Sequence, residues 1–382
     1  MRIAILILLA VTSSNASDVG KRFPPEKRVP VHALTTSPAN DAKIHQTHPQ
    51  WTADGQYIIF RSNRSGAQSQ AFAVHELTGE IVQLTEGNTN TGSLNVARKS
   101  NRIYFFRGAR NTPPALIELN LDPLFKDSKA GALKDAASYE RTIGTMLADF
   151  HESGGFTLDA DETKAYAGVS LGPEKGGLRT IDLKTGQVSV IIDVPFRMGH
   201  VQANPWVPGE IVYCHETGGD APQRIWFVKA DGTGNRPLYK ETPDEWVTHE
   251  TWVDADHILF NVMAHLPRLR TKPTGIFSLN VRNDEVKVLG QIDEGRGFWH
   301  CNGSPDGRWA VGDNFEGSVY LIDRKSGEIT LLSTGHVMRP DHTHPTFSPD
   351  SKRILIQSGL LSGGASLDLM VVNVPLWLQV RR

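Results

Sequence analysis

One short motif recurs along this chain and fixes most of what it can fold into. His48-Pro49-Gln50-Trp51-Thr52-Ala53-Asp54-Gly55 precedes the apolar run Tyr57-Ile58-Ile59-Phe60. His344-Pro345-Thr346-Phe347-Ser348-Pro349-Asp350-Ser351 precedes Ile354-Leu355-Ile356. His300-Cys301-Asn302-Gly303-Ser304-Pro305-Asp306-Gly307 precedes Trp309-Ala310-Val311, and His249 opens a looser copy before Ile258-Leu259-Phe260. Each copy reads as a short strand, a polar turn and a second strand. Repetition of one supersecondary unit means stacked units that bury their faces against neighbours.

Less regular copies fill the gaps: Leu94 to Phe106, Phe156 to Val169 and Gln202 to Cys214. About 49 residues separate successive units, the spacing of propeller blades. Third and fourth strands follow, as in Ala71-Phe72-Ala73-Val74 then Ile81-Val82-Gln83-Leu84-Thr85, joined by a Gly79 hairpin turn. The sequence therefore predicts an all-β, seven-bladed β-propeller with four-stranded blades, formed by residues 18–382 as one domain. The last unit stops after its third strand, Leu367 to Val374. Val29 to Thr35 is expected to supply the fourth and close the ring, which removes an open sheet edge. Leu121 to Asp149 breaks the pattern and reads as a partly helical insertion between the second and third blades.

The ends of the chain and its composition narrow the setting. Residues 1–17 read as an export signal: Met1 and Arg2, the apolar run Ile3 to Val11, then Ser14-Asn15-Ala16 as a cleavage site. That run is too short to span a bilayer, and no later stretch is long and apolar enough. An exported, periplasmic location follows as an expectation. Net charge is −2, so there is no bulk electrostatic case for nucleic acid. Cys214 and Cys301 fall two blades apart and are expected to be free and buried.

Blade register turns sequence position into location. First strands line the central channel and begin at one mouth; second strands end at that same mouth. His48, His249, His300 and His344 each stand four residues before the matched Thr, Val or Ser of the turn, so they occupy equivalent places there. His342 lies two residues before His344 and faces the same way along an extended chain. His300, His342 and His344 come from neighbouring blades and can bring three imidazole nitrogens to one transition metal. For His48 a capping role towards backbone groups is the competing reading. Arg61 ends the second strand of blade one, where a guanidinium suits an anion.

Thr248-His249-Glu250-Thr251-Trp252, Tyr213-Cys214-His215-Glu216 and the His342 to Asp350 segment resemble the oligogalacturonate lyases, polysaccharide lyase family twenty-two. Gly199-His200 and Arg224-Ile225-Trp226 are similar too. The resemblance is stronger over blades four to seven than over the first half. It implies a manganese ion and β-elimination on short α-1,4-linked galacturonate chains, hence an acidic oligosaccharide as partner. By motif match the metal histidines are His300, His342 and His344, and the proton-abstracting base is His249. Arg224, grouped with the catalytic residues, is expected to hold the uronate with His200 and His215. The family's glutamine ligand falls at Arg339, which cannot ligate a metal; water, Asp341, Gln202 or substrate remain for that place. A lyase on another uronate, or a non-catalytic exported propeller of the TolB type, are the alternatives.

Overall fold

The recurring turn has a bond-by-bond explanation. In three copies the Thr or Ser hydroxyl donates to the Asp two residues on: Thr52 to Asp54 at 2.6 Å, Ser304 to Asp306 at 2.5 Å and Ser348 to Asp350 at 2.5 Å. The same hydroxyl accepts the backbone N–H that opens the next strand, from Tyr57, Trp309 and Arg353. The Asp then accepts a second N–H, from Gln56, Arg308 and Lys352. The motif is a hairpin that satisfies its own backbone donors.

In this computed structural model the described residues are 29–379, without 67, 109–111, 148–149 and 294. The export-signal segment 1–17 lies outside them. Seven four-stranded antiparallel sheets form the blades. Blade one holds Ala42–Lys43, Tyr57–Ser62, Gln70–His75 and Ile81–Gln83. Inner strands of blades three to six are Glu152–Leu158, Met198–Ala203, Val247–Trp252 and Phe298–Gly303. Blade seven joins Thr346–Phe347, Arg353–Ser358 and Asp368–Asn373 to the N-terminal strand Val31–Ala33, which pairs antiparallel with Asp368–Asn373. The ring closes as expected.

Strand periodicity explains why the apolar runs are continuous rather than alternating. Tyr57 and Ile59 pack with blade two, whereas Ile58 and Phe60 pack with blade seven. Successive residues of a strand point to opposite faces, and both faces of each blade are covered. Apolar clusters accordingly occupy each interface between neighbouring blades. Cys214 and Cys301 are buried and free.

One sequence expectation is corrected. The segment after Leu121 is not an insertion between blades two and three but lies within blade two. It comprises the helix Leu121–Lys129, a short 3-10 turn Ala136–Tyr139 and the outer strand Glu140–Thr145. That strand pairs with Ala115–Asn120, Leu119 opposite Glu140. Its exposed, polar Arg141 and Thr142 mask the strand signal, while Phe125 anchors the helix by stacking on Tyr57 at 3.8 Å.

Ser304→Ala is expected to destabilise the fold by about 1–3 kcal/mol, because it leaves the buried Trp309 N–H without its acceptor. Denaturant unfolding of the variant against wild type measures this.

Candidate metal and active centre

Backbone irregularity aims the histidines. Inner strands in blades four, five and six lose register with their neighbours, between Gly199 and Gln202, Thr248 and Thr251, and Phe298 and His300. Such bulges bend a strand and redirect its side chains. His200, His249 and His344 also adopt left-handed φ of 47°, 55° and 46°. These conformations are costly for non-glycine residues and persist where the surroundings enforce them.

The outcome is a closed ring of imidazoles around the channel. Centroids lie 6.1 Å apart from His200 to His249, 4.2 Å to His300 and 3.9 Å on to His344. His45 completes the circle, 5.6 Å from His344 and 5.3 Å from His200. Sequence reasoning missed His45. It belongs to the segment 44–50 of blade one, which reaches across the channel: Gln46 accepts from Asn302 of blade six through its carbonyl, and its side chain meets His344 of blade seven. His48, on the same segment, does not join the ring. Its Nε2 lies 2.8 Å from the Phe156 carbonyl of blade three, so it caps backbone.

His300, His342 and His344 each offer a ligand nitrogen, all within 4.8 Å of one another. The His300 Nδ1 donates to Asp313 at 3.0 Å, and the His344 Nδ1 donates to the Gln46 Oε1 at 2.7 Å. With its proton placed on Nδ1, His300 has a free Nε2 lone pair, while the His344 Nε2 faces the Asp341 Oδ1. Burial pushes all three imidazoles below the usual histidine range, most strongly His300. Neutral, pre-oriented imidazoles are what a divalent transition metal requires. The residues therefore fit such an ion. Asp341 stands beside them, its Oδ1 3.2 Å from the His344 Nε2 and 4.0 Å from the His342 Nδ1. Arg339 is exposed.

His249 sits next to this set. Its Nδ1 donates to the Trp299 carbonyl at 2.5 Å, so its Nε2 carries the lone pair. Burial, then the neighbouring His200 and Arg224, hold its pKa well below the usual histidine range. Trp299 places its indole between His249 and His342, at 5.6 and 5.0 Å.

Arg224 is 3% exposed and lies between two carboxylates, 3.4 Å from Glu250 and 3.5 Å from Glu216. Glu250 in turn approaches the His200 Nδ1 at 3.2 Å. Burial would raise the Glu250 carboxyl, but His200 and Arg224 outweigh it and bring its pKa down to about 2. His215 is half-buried and stacks on Phe196 at 4.5 Å. Arg61 donates to the Lys43 carbonyl at 3.1 Å and lines a cavity of about 140 Å³ with His45, Asp341 and His344. Sequence reasoning gave no role to Gln46, Asp313 or Glu250. Asp313 was within reach of it, since it stands opposite His300 in the hairpin built on the Asp306-Gly307 turn.

Fold and site together define a seven-bladed propeller with a histidine-built candidate metal centre at one end of its channel. Comparison with known proteins converges on a family. The sequence model of the oligogalacturonate lyases matches residues 173–330, a span that includes His200, Arg224, His249 and His300 but not His342 or His344. An oligogalacturonate lyase of Dickeya dadantii is 26% identical over 85% of this chain and 88% of its own. An oligogalacturonide lyase of Pectobacterium atrosepticum is 24% identical over the same shares. A solved oligogalacturonate lyase in complex with manganese superposes with a TM-score of 0.76 at 22% identity, covering 92% of this chain and 94% of that one. The Vibrio parahaemolyticus oligogalacturonate lyase gives the same TM-score at 20% identity, over 93% and 96% of the two chains. The family resemblance and the propeller fold expected from the sequence are both borne out.

Glu250→Gln is expected to cost about 3 kcal/mol or more, because it strips a carboxylate from the buried Arg224. Glu250 has its pKa depressed from 4.5, so its contribution is present above that value and lost as pH falls towards about 2. The gap in unfolding free energy between wild type and variant should narrow over that acid range.

Proposed function

We propose that this chain is a metal-dependent lyase that cleaves short α-1,4-linked galacturonate chains by β-elimination. The observation that carries the reading is the contact between His249 and His300: an imidazole with its lone pair on Nε2 lies beside three histidines suited to one divalent ion. Two curated relatives aligned along most of the chain are an oligogalacturonate and an oligogalacturonide lyase, and one solved relative holds manganese.

His300, His342 and His344 would hold the ion, most suitably manganese. When bound, it would offset negative charge on the substrate carboxylate as the neighbouring carbon loses its proton. His249 accepts that C5 proton at Nε2, with the Trp299 carbonyl stabilising the imidazolium through Nδ1–H. The C5–H electron pair becomes the C4–C5 double bond, and the C4 oxygen leaves with its bonding pair. Water does not attack the sugar, so no paired-carboxylate glycosidase apparatus is required. Arg224 is a positioning residue in this reading: held by Glu216 and Glu250, it fixes the carboxylate that orients His200. His200, His215 and Arg61 hold the acidic sugars at the mouth. Export to the periplasm belongs to the same reading, supported by the apolar N-terminal run.

Arg339 at the place of the family's glutamine favours a second reading, elimination on a different uronate. A panel of acidic oligosaccharides separates the two.

Digalacturonate and manganese should give a rise in ultraviolet absorbance from the unsaturated product, abolished by a chelator. His249→Ala should reduce turnover by at least about a hundredfold while still binding metal. No absorbance change with any uronate in the presence of metal would overturn the lyase reading, and normal turnover by the variant would overturn the base assignment.

A further inference from the structure

A buried carboxylate behind the histidines touches both blades that supply them. Asp313 is 0% exposed and is the strand partner of His300 within blade six. Its Oδ1 accepts the His300 backbone N–H at 2.9 Å and the His300 Nδ1–H at 3.0 Å. Its Oδ2 accepts the Thr343 hydroxyl at 2.5 Å and the His344 backbone N–H at 3.2 Å, both from blade seven. Oδ1 thus serves blade six, while Oδ2 serves blade seven and also lies 3.2 Å from the His300 Nδ1.

We propose that Asp313 is the positioning residue of the metal centre, setting the tautomer of His300 and the spacing between His300 and His344. The inference rests on the metal-dependent reading above and extends it to a residue that does not touch the ion.

The tautomer argument is direct. An imidazole whose Nδ1–H is held by a carboxylate presents its Nε2 lone pair, and the negative partner makes that nitrogen a stronger donor. The spacing argument uses the other oxygen. His344 has a left-handed backbone, with φ of 46°, and its N–H points at Asp313. Thr343 adds the shortest bond of the set. Blades six and seven are separate sheets, so a shared carboxylate fixes the distance between ligands that sheet pairing leaves free.

Asparagine keeps the shape of Asp313 but offers only one acceptor oxygen. With that oxygen towards His300, its NH2 group faces the Thr343 hydroxyl and the His344 N–H, and the two N–H groups oppose each other. Flipped, the NH2 faces the His300 Nδ1 and drives that proton to Nε2, where it blocks ligation.

Asp313→Asn in the full chain should therefore bind manganese about 10- to 100-fold more weakly, read as free ion by electron paramagnetic resonance. In chelator, nitrogen chemical shifts of labelled histidines should show His300 as the Nδ1–H tautomer in wild type, with that form lost or mixed in the variant. Unchanged manganese affinity together with an unchanged tautomer overturns the proposal, even if the variant melts at a lower temperature. Thr343→Val removes one donor and should weaken binding by about 3- to 10-fold. If Asp313→Asn does not fold, this variant decides, and unchanged affinity overturns the proposal. A wild type that keeps the Nδ1–H tautomer yet binds no manganese overturns the metal reading itself, and this proposal with it.

Discussion

Loss of strand register at the inner edge of the blades is the constraint on which the site depends. A regular inner strand would send alternate side chains into the two neighbouring blades, where clusters such as those around Ile58 and Tyr57 already fill the space. A bulge releases one residue per blade from that alternation. Blades four to six each place theirs beside or at a histidine, and His344 achieves a similar release from the stretch before Thr346–Phe347. The left-handed conformations at His200, His249 and His344 are the local cost, offset by the interblade packing that surrounds them.

Crowding then sets the electrostatics. Imidazoles with centroids as close as 3.9 Å cannot readily all be charged, and burial alone already disfavours the charged form. The ring is consequently neutral where His249, His300 and His344 meet. Acidic groups lie behind it, in two sectors. On one side the buried Arg224 is held between Glu216 and Glu250, which reaches His200. On the other, Asp313 stands behind His300 and is pushed up to about 7 by its burial, against the pull of its Thr343, His300 and His344 donors. The two carboxylates stand beside rings on opposite sides of His249, and the Nε2 lone pairs of His249 and His300 stay uncommitted.

Much of this architecture was legible from residues alone, because the repeat encodes its own geometry. Thr52, Ser304 and Ser348 with their aspartates define hairpins, hairpins define register, and register places His249, His300 and His344 at one end of the channel. What escaped was whatever depends on departures from register. His45 and Gln46 occupy a segment that crosses the channel, and no periodicity reports a crossing. His48 carries the same motif as His300 yet turns to the Phe156 carbonyl, since its segment is displaced from the strand path. The outer strand Glu140–Thr145 was hidden by its polar, exposed face. Asp313 was overlooked although its place opposite His300 follows from the Asp306-Gly307 turn.

Asp341 bears on the place where the resemblance implies a glutamine ligand and this chain has Arg339. An amide ligand leaves a divalent ion its full charge, whereas a carboxylate cancels part of it. Asp341 lies within reach of two of the three histidines and is steadied by Gln357, whose Nε2 donates to its Oδ2 at 3.0 Å. Burial would raise its carboxyl, but the neighbouring His344 and His342 hold it well below the usual carboxylate range, so it is an anion there. With Arg339 exposed, the same loop brings a carboxylate beside the histidines from two residues further along. A centre with that carboxylate beside it attracts a cation more strongly than three neutral rings would, and polarises a substrate carboxylate less. For an ion bound there, the loop that supplies His342 and His344 would thus set the balance between holding it and using its charge.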